Sequence, residues 1–470
     1  MSLYLADGIS AHAVEEYLKE SFENGTRVRT LQIIKGDEAV IKLAFEPYDL
    51  DAPMHLYSLS KTFTSLAVGM CVDDGKLKLS DRLCDIFPDK MPAEMTDWLK
   101  KMTVHDLLSM QSGHTACVLD TMRWAEDSIR AFFEQPLTYE PGTTFAYSTA
   151  ATCICAATVE RITGVKLVDF LNERLFSKFG IEKPIWRECR DGQTLGGTGL
   201  EVSNETVAKL GLLLKNKGVY NGERIISEEY VKLASSKHSD NSCNGTPDWT
   251  AGYGYQIWCN ARDGFRGDGA FGQLCVVLPK DDVVAVLFGE ALNMQTELSL
   301  LYKLVDTMCG EKSDDSSLLE LIRTAYLTKK NENGFNSDIS FEVKKNPCDI
   351  NKIRLFGESL LHVELDTDYG KKEIVCGNGE YLLNHVMLKN LATSITFLDP
   401  NVDAVERVSV FASYELLDDG KISITLRHHN TCHVQKWVFD IDNNSMDIVL
   451  FVGYMICTHF DITQIPETVE

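Results

Sequence analysis

The stretch Tyr57-Ser58-Leu59-Ser60-Lys61 runs into an apolar segment, 63–72, that reads as a buried helix. Leu66, Ala67, Met70 and Cys71 recur at helical spacing, and Asp74-Gly75 stands where a C-cap glycine is expected. Ser58 and Lys61 are three residues apart, so on a helix their side chains leave one face and can touch. A serine hydroxyl becomes a useful nucleophile when a neighbouring base takes its proton. A lysine serves as that base once desolvation or nearby positive charge holds it neutral. The pair alone carries little, because a Ser-x-x-Lys spacing arises by chance about once or twice in a chain of this length. The bland alternative is a solvated first turn with a serine cap.

Length and composition narrow the field. A chain of 470 residues can bury two or three cores. A formal charge of −23 argues against a nucleic-acid or anionic-membrane surface. No apolar run is long enough to span a bilayer, and the first residues lack a basic n-region and a long apolar h-region. The 14 cysteines follow no repeating spacing, and Cys153, Cys155 and Cys457 sit inside apolar runs. That pattern fits a reducing cytoplasm better than a disulfide framework.

Outward from the central stretch, 8–23 reads as an amphipathic helix, and strands at 27–35 and 38–45 join through Gly36-Asp37. Helices are expected at 121–135, 150–162, 166–179, 204–215, 228–235 and 295–308, with Thr103 capping another. Strands are expected at 254–258, 274–278 and 283–288. Strands near both ends of the first 310 residues, enclosing a helical middle, predict an α+β domain with one sheet assembled from its two termini. A linker is placed at 310–317. After one helix at 317–327, short strands with hairpin turns at Asp418-Asp419-Gly420 and Asp442-Asn443-Asn444 predict an all-β barrel or sandwich over 317–470. Gly196-Gly197-Thr198-Gly199 lacks the Lys-Ser/Thr of a phosphate loop and reads as a plain loop. The cluster His428, His429, Cys432 and His433 lies on a strand and the following turn, where adjacent side chains diverge, so no metal is expected. His105 and His114 read as structural.

Several segments in order carry a family resemblance. These are Leu56-Tyr57-Ser58-Leu59-Ser60-Lys61-Thr62-Phe63, Gly75-Lys76-Leu77 with Leu79-Ser80-Asp81, and Asp106-Leu107-Leu108-Ser109-Met110-Gln111-Ser112-Gly113. Pro141-Gly142-Thr143 with Tyr147-Ser148, Gly254-Tyr255-Gln256-Ile257-Trp258 and Gly269-Ala270-Phe271-Gly272-Gln273 follow. Residues 1–310 thus resemble the serine β-lactamase and penicillin-binding-protein superfamily, in its class C-like esterase, amidase and D-aminopeptidase branch. The resemblance implies Ser58 as nucleophile, Lys61 as its base and Tyr147 as a second proton shuttle, its phenol acidified by nearby cations. It also implies an oxyanion hole from the Ser58 N–H and a strand N–H within 267–270, near Gly269 and Ala270. Two departures stand out. Thr149 replaces the asparagine of Tyr-x-Asn, and Arg266-Gly267-Asp268-Gly269 stands where Lys or His, x, Gly is usual. Asp268 would disfavour a substrate carboxylate, Arg266 would recognise an anion, and Tyr255 is a pocket-lining candidate. The expectation is a cofactor-free serine hydrolase acting on a small ester or amide, or a short D-amino-acid peptide. A β-lactamase or DD-peptidase, and a catalytically decayed binding module, are the alternatives. The C-terminal domain would shape the pocket or mediate homo-oligomer formation.

Overall fold

The computed structural model describes residues 3–115, 117–311, 314–346, 348–389, 405–451 and 455–465. Its first sheet uses β1 (Leu3–Leu5), β2 (Val28–Lys35), β3 (Glu38–Ala44), β4 (Trp258–Cys259), β5 (Phe265–Gly269), β6 (Gln273–Leu278) and β7 (Val283–Gly289). Their order is β1-β3-β2-β7-β6-β5-β4, antiparallel throughout. The join between the two ends of the domain is β2 on β7, with Ile33 opposite Ala285 and Ile34 opposite Val284. Both faces of this sheet are covered, which explains why its strands read as unbroken apolar runs. Leu31, Ile33, Val276, Ala285 and Leu287 enter one core, whereas Ile34, Cys275, Val277, Val284 and Val286 enter the other.

Six helices matter here: α1 (Ala11–Glu23), α2 (Ser60–Asp73), α3 (Thr149–Thr163), α4 (Asn204–Lys215), α5 (Met294–Thr307) and α6 (Ser316–Thr324). Helices α1, α5 and α6 bury Val14, Leu18, Leu298, Leu301, Leu318 and Ile322 on the first face. Helices α2, α3 and α4 occupy the second. Every residue of α2 from Ser60 to Cys71 is buried, polar ones included. Helix α6, read as the opening of the second domain, contributes its apolar side to the first domain's core. Lys312 and Ser313 of the expected linker lie outside the described residues.

Three local expectations change. The helix expected over 121–135 is two short helices, Leu119–Trp124 and Ser128–Phe133, broken where the Asp127 side chain caps the second by accepting from Arg130 N. The helix expected over 166–179 is Leu167–Leu171 followed by a π turn, Asn172–Phe176. The strand expected over 254–258 is reduced to Trp258–Cys259, because Gln256 takes a left-handed φ of 61° and bonds to the helical region instead. Its side chain donates to Leu107 O and Leu108 O and accepts from Thr152 Oγ1.

The C-terminal region forms a second body. Strands from Ser337–Val343 to Met455–Ile465 pair antiparallel in succession. A parallel contact between Gly370–Asn378 and Val405–Leu416 closes nine of them into a barrel, with Leu382–Lys389 added outside. The interior is packed with side chains, among them Ile353, Leu355, Ile424, Leu426, Trp437 and Phe439. The alternation of Ile422, Ile424 and Leu426 seen in the sequence is the inward face of one strand.

Charge holds the two bodies together. Glu290, just after β7, accepts from Arg29 Nε (2.8 Å) of β2 and from Arg427 Nη1 (2.9 Å) of the barrel. Arg29 Nη1 also donates to the barrel carbonyl of His428 at 3.0 Å. Burial pushes the Glu290 carboxyl up, but the two guanidiniums outweigh it and hold its pKa below the ordinary value. Glu290→Ala, which strands two buried cations, is expected to lower stability by about 3–5 kcal/mol in urea denaturation. A loss below about 1 kcal/mol would mean that apolar packing alone joins the domains.

Candidate active site

Ser58 lies in a 3₁₀ turn, Tyr57–Leu59, two residues before α2 rather than on the helix itself. Tyr57 has a left-handed φ of 48°, a conformation that an aromatic residue holds only when its surroundings impose it. Those surroundings come partly from the barrel. The Tyr57 hydroxyl lies 3.0 Å from His433 Nε2 and 3.3 Å from Cys432 Sγ, and its ring packs edge-on against His55 and Phe271. The backbone N–H of His55 donates to Asn430 O at 2.8 Å. The loop following the barrel strand Ile422–His428 is therefore packed directly behind the turn that carries Ser58. Cys432 and His433 are spent in these contacts, and His428 lies in the barrel, its Nε2 3.1 Å from Gln435.

Ser58 is half-exposed, whereas Lys61 is 1% exposed. Lys61 Nζ lies 2.9 Å from Ser58 Oγ, 3.0 Å from Thr149 Oγ1 and 2.7 Å from Gly197 O. Burial lowers the lysine pKa to about 7, against a smaller opposing pull from Cys117 and Asp268. Thr149 opens α3, and Ser148 caps it by accepting from Ala151 N, so Ser148 is occupied as a cap. Gly197 must be glycine for a packing reason: a Cβ there would stand 2.8 Å from Thr149 Cγ2 and 2.9 Å from Thr149 O. The loop read as plain from sequence thus supplies a carbonyl to the buried amine. A main-chain oxygen leaves no trace in residue identity; only the glycine run hinted at close approach.

Tyr147 sits over the same amine, with Lys61 Nζ 4.9 Å from its ring centroid, and stacks on Trp258 at 5.3 Å. Its pKa is raised, contrary to the expected acidification: burial dominates, although Ser58 and Trp258 beside the hydroxyl favour the anion. The phenol keeps its proton through neutral pH. Strand β5 lies against the turn that carries Ser58, and a Cβ on Gly269 would come 2.2 Å from Leu56 O. Ala270 and Phe271 form the turn to β6, on the edge of the same core.

Asp268 is buried on β5, and Arg266 Nε donates to its Oδ2 at 2.8 Å. Burial raises the Asp268 carboxyl despite the pull of Arg266 and Lys61. Arg266, expected to meet a substrate anion, is wholly buried. Its guanidinium donates to Asp248 O, Cys259 O and Asn260 Oδ1 and lies over Trp249. Tyr255, expected to line the pocket, is also interior. Its hydroxyl is 2.8 Å from His105 Nδ1 and its ring stacks on His238 at 4.1 Å. The structure brings Ser58, Lys61, Tyr147 and Thr149 together with β5, and it places Arg266 and Tyr255 in structural contacts. His114, paired with Ser112, has its pKa pushed down to about 4 by burial.

Comparison with known proteins identifies the family. A profile of the beta-lactamase family matches residues 14–297, and the chain belongs to that family. A lovastatin esterase of Penicillium rubens is 27% identical over 182 residues, 33% of this chain and 45% of that protein's length. A 6-aminohexanoate-dimer hydrolase of Paenarthrobacter ureafaciens is 24% identical over 276 residues, 54% of this chain and 70% of that one. The chain thus spans less than half of the first relative. Among solved structures, an octameric penicillin-binding protein homologue from Pyrococcus abyssi aligns with a TM-score of 0.50 at 14% identity. That alignment covers 96% of this chain and 99% of that one, second domain included. Its first domain carries the fold of the beta-lactamase family. Among the described residues no helix is long and apolar enough to cross a membrane.

The buried amine has a thermodynamic signature. The unfolded lysine holds its proton up to about pH 10.5, the folded one only to about 7, so between these limits the unfolded state binds more protons and stability rises with pH. The stability difference between the wild type and Lys61→Met should therefore grow in favour of the wild type by ~1.4 kcal/mol per pH unit across that window. Urea midpoints at several pH values measure it, and a constant difference would show an ordinary, solvated lysine.

Proposed function

We propose that the protein is a serine hydrolase that works through an acyl-enzyme on Ser58, with Lys61 as base, on small esters or amides. The observation that carries this reading is the 2.9 Å approach of Lys61 Nζ to Ser58 Oγ by an amine whose pKa is lowered to about 7. A neutral amine has two N–H bonds and one lone pair. Gly197 O can only accept, and Thr149 Oγ1 can take the second N–H, which leaves the lone pair for the Ser58 hydroxyl. Thr149 does here what an amide side chain would do for the lysine, without an amide for the substrate.

In the proposed reaction Ser58 Oγ attacks the carbonyl carbon as Lys61 accepts its proton. Charge on the carbonyl oxygen is met by backbone N–H groups of Ser58 and of the Gly269–Ala270 segment. Tyr147, protonated at neutral pH, hands its proton to the leaving oxygen or nitrogen and is reprotonated from Lys61. Water then repeats the sequence on the acyl-enzyme. The named activities of the relatives, an esterase and a dimer hydrolase of an amide, support a substrate with an ester or amide bond. With Arg266 sequestered and Asp268 close to the lysine, a substrate free of a carboxylate beside the scissile bond fits best.

Hydrolysis of p-nitrophenyl butyrate should fall on the acid side with an apparent pKa near that of Lys61, about 7. Lys61→Ala should lose roughly 10²–10⁴-fold in kcat, and Ser58→Ala should take up no fluorophosphonate by intact mass. A flat pH profile, or a fully active Lys61→Ala, would refute the mechanism.

A further inference from the structure

A cleft of about 330 Å³ opens between the two domains, away from the Lys61 amine. Arg27, Glu290, Arg427 and Lys436 are the charged groups that line it. Three cations thus face one carboxylate, and that carboxylate already accepts from Arg29 and Arg427. In a chain of net charge −23 this is a local reversal of sign. Arg27 is exposed, and its guanidinium lies 5.9 Å from the ring centroids of both Phe22 and Tyr326. Lys436 is half-buried on the barrel. Among the described residues neither cation forms an ion pair with a carboxylate, and Arg27 adds only a longer-range pull on Glu290, although acidic side chains outnumber basic ones by 69 to 46.

The rest of the wall is largely apolar. Phe271, Ala291, Leu292 and Val434 contribute to it, and Leu292 is 67% exposed, the most exposed large apolar side chain among the described residues. A wall with two cations outside any ion pair and an apolar floor matches neither a bare inorganic anion, which has no use for the floor, nor a neutral ligand, which makes no use of the charge. We propose that this cleft is a binding site for a small monocarboxylate with an apolar body, its head between Arg27 and Lys436 and its body against Phe271, Leu292 and Val434. The inner wall is continuous with the active-site side, since the Phe271 ring packs at 5.2 Å on Tyr57, the residue before Ser58. The ligand class is also that of the acid released when an ester is hydrolysed. The site itself stands apart from the hydrolase reading, because occupancy is measured as heat and requires no turnover.

The test is calorimetric titration of the full chain with hexanoate, with acetate and inorganic phosphate as comparison ligands. Saturable one-site binding of hexanoate is expected, weakening with added salt, with acetate and phosphate at least tenfold weaker. Arg27→Gln and Lys436→Gln should each weaken hexanoate at least tenfold while leaving the ligand-free thermal midpoint unchanged, since both side chains reach solvent. Leu292→Asp, which sets a carboxylate at the mouth, should weaken it as well. Absence of saturable heat with hexanoate would overturn the proposal, as would an affinity indifferent to both charge variants. Phosphate binding as tightly as hexanoate would overturn the role given to the apolar wall.

Discussion

Keeping an amine out of water next to a serine is the constraint on which the rest of this architecture depends. An isolated ammonium in that position is costly, and the protein resolves the cost by letting the amine lose its proton near neutrality while satisfying it with Ser58, Thr149 and Gly197. Those three partners come from three separate segments: the turn before α2, the start of α3 and a glycine loop. The helices must therefore meet at fixed distances. Helix α2, buried from Ser60 to Cys71, and the glycine that lets the loop touch Thr149 are the means. Desolvation thus acts in two ways: it lowers the pKa of Lys61 and raises that of Tyr147.

The second domain takes part in this constraint rather than hanging from it. Its loop after His428 holds the Tyr57 hydroxyl through His433 and Cys432, and Tyr57 is the residue forced into a left-handed conformation beside Ser58. The Arg29–Glu290–Arg427 group fixes where that loop arrives. One buried carboxylate between two guanidiniums is specific in direction in a way that apolar contact is not, which suits a joint that must place a loop behind a turn.

Much of the layout could be read from residue order. The helix at 204–215 was legible to the residue because Ser203 caps it and its apolar positions recur at helical spacing. The hairpin at Gly36-Asp37 and the barrel strand around Ile424 were legible for the same kind of reason, a local period and a local turn. The failures are non-local. Residues 254–258 look like a strand by composition, yet Gln256 is claimed by Leu107, Leu108 and Thr152, more than a hundred residues away. Arg266 and Tyr255 looked available for a substrate, but whether a polar side chain meets solvent or a carbonyl is decided by what packs over it. The expected acidic phenol failed because burial outweighs the neighbours that favour the anion.

What the sequence determined by itself is the set of reactive groups and their order along the chain: Ser58 three residues before Lys61, Tyr147 two before Thr149, and apolar runs that oblige the termini of the first domain to share a sheet. Only the tertiary structure decided which of these groups are dry, which are spent on structure, and which main-chain atoms join them. The reason is physical. Side-chain identity sets what a group can donate, accept or ionise, whereas solvation and distance, which set what it does, belong to segments far apart in the chain and exist only once those segments are packed together.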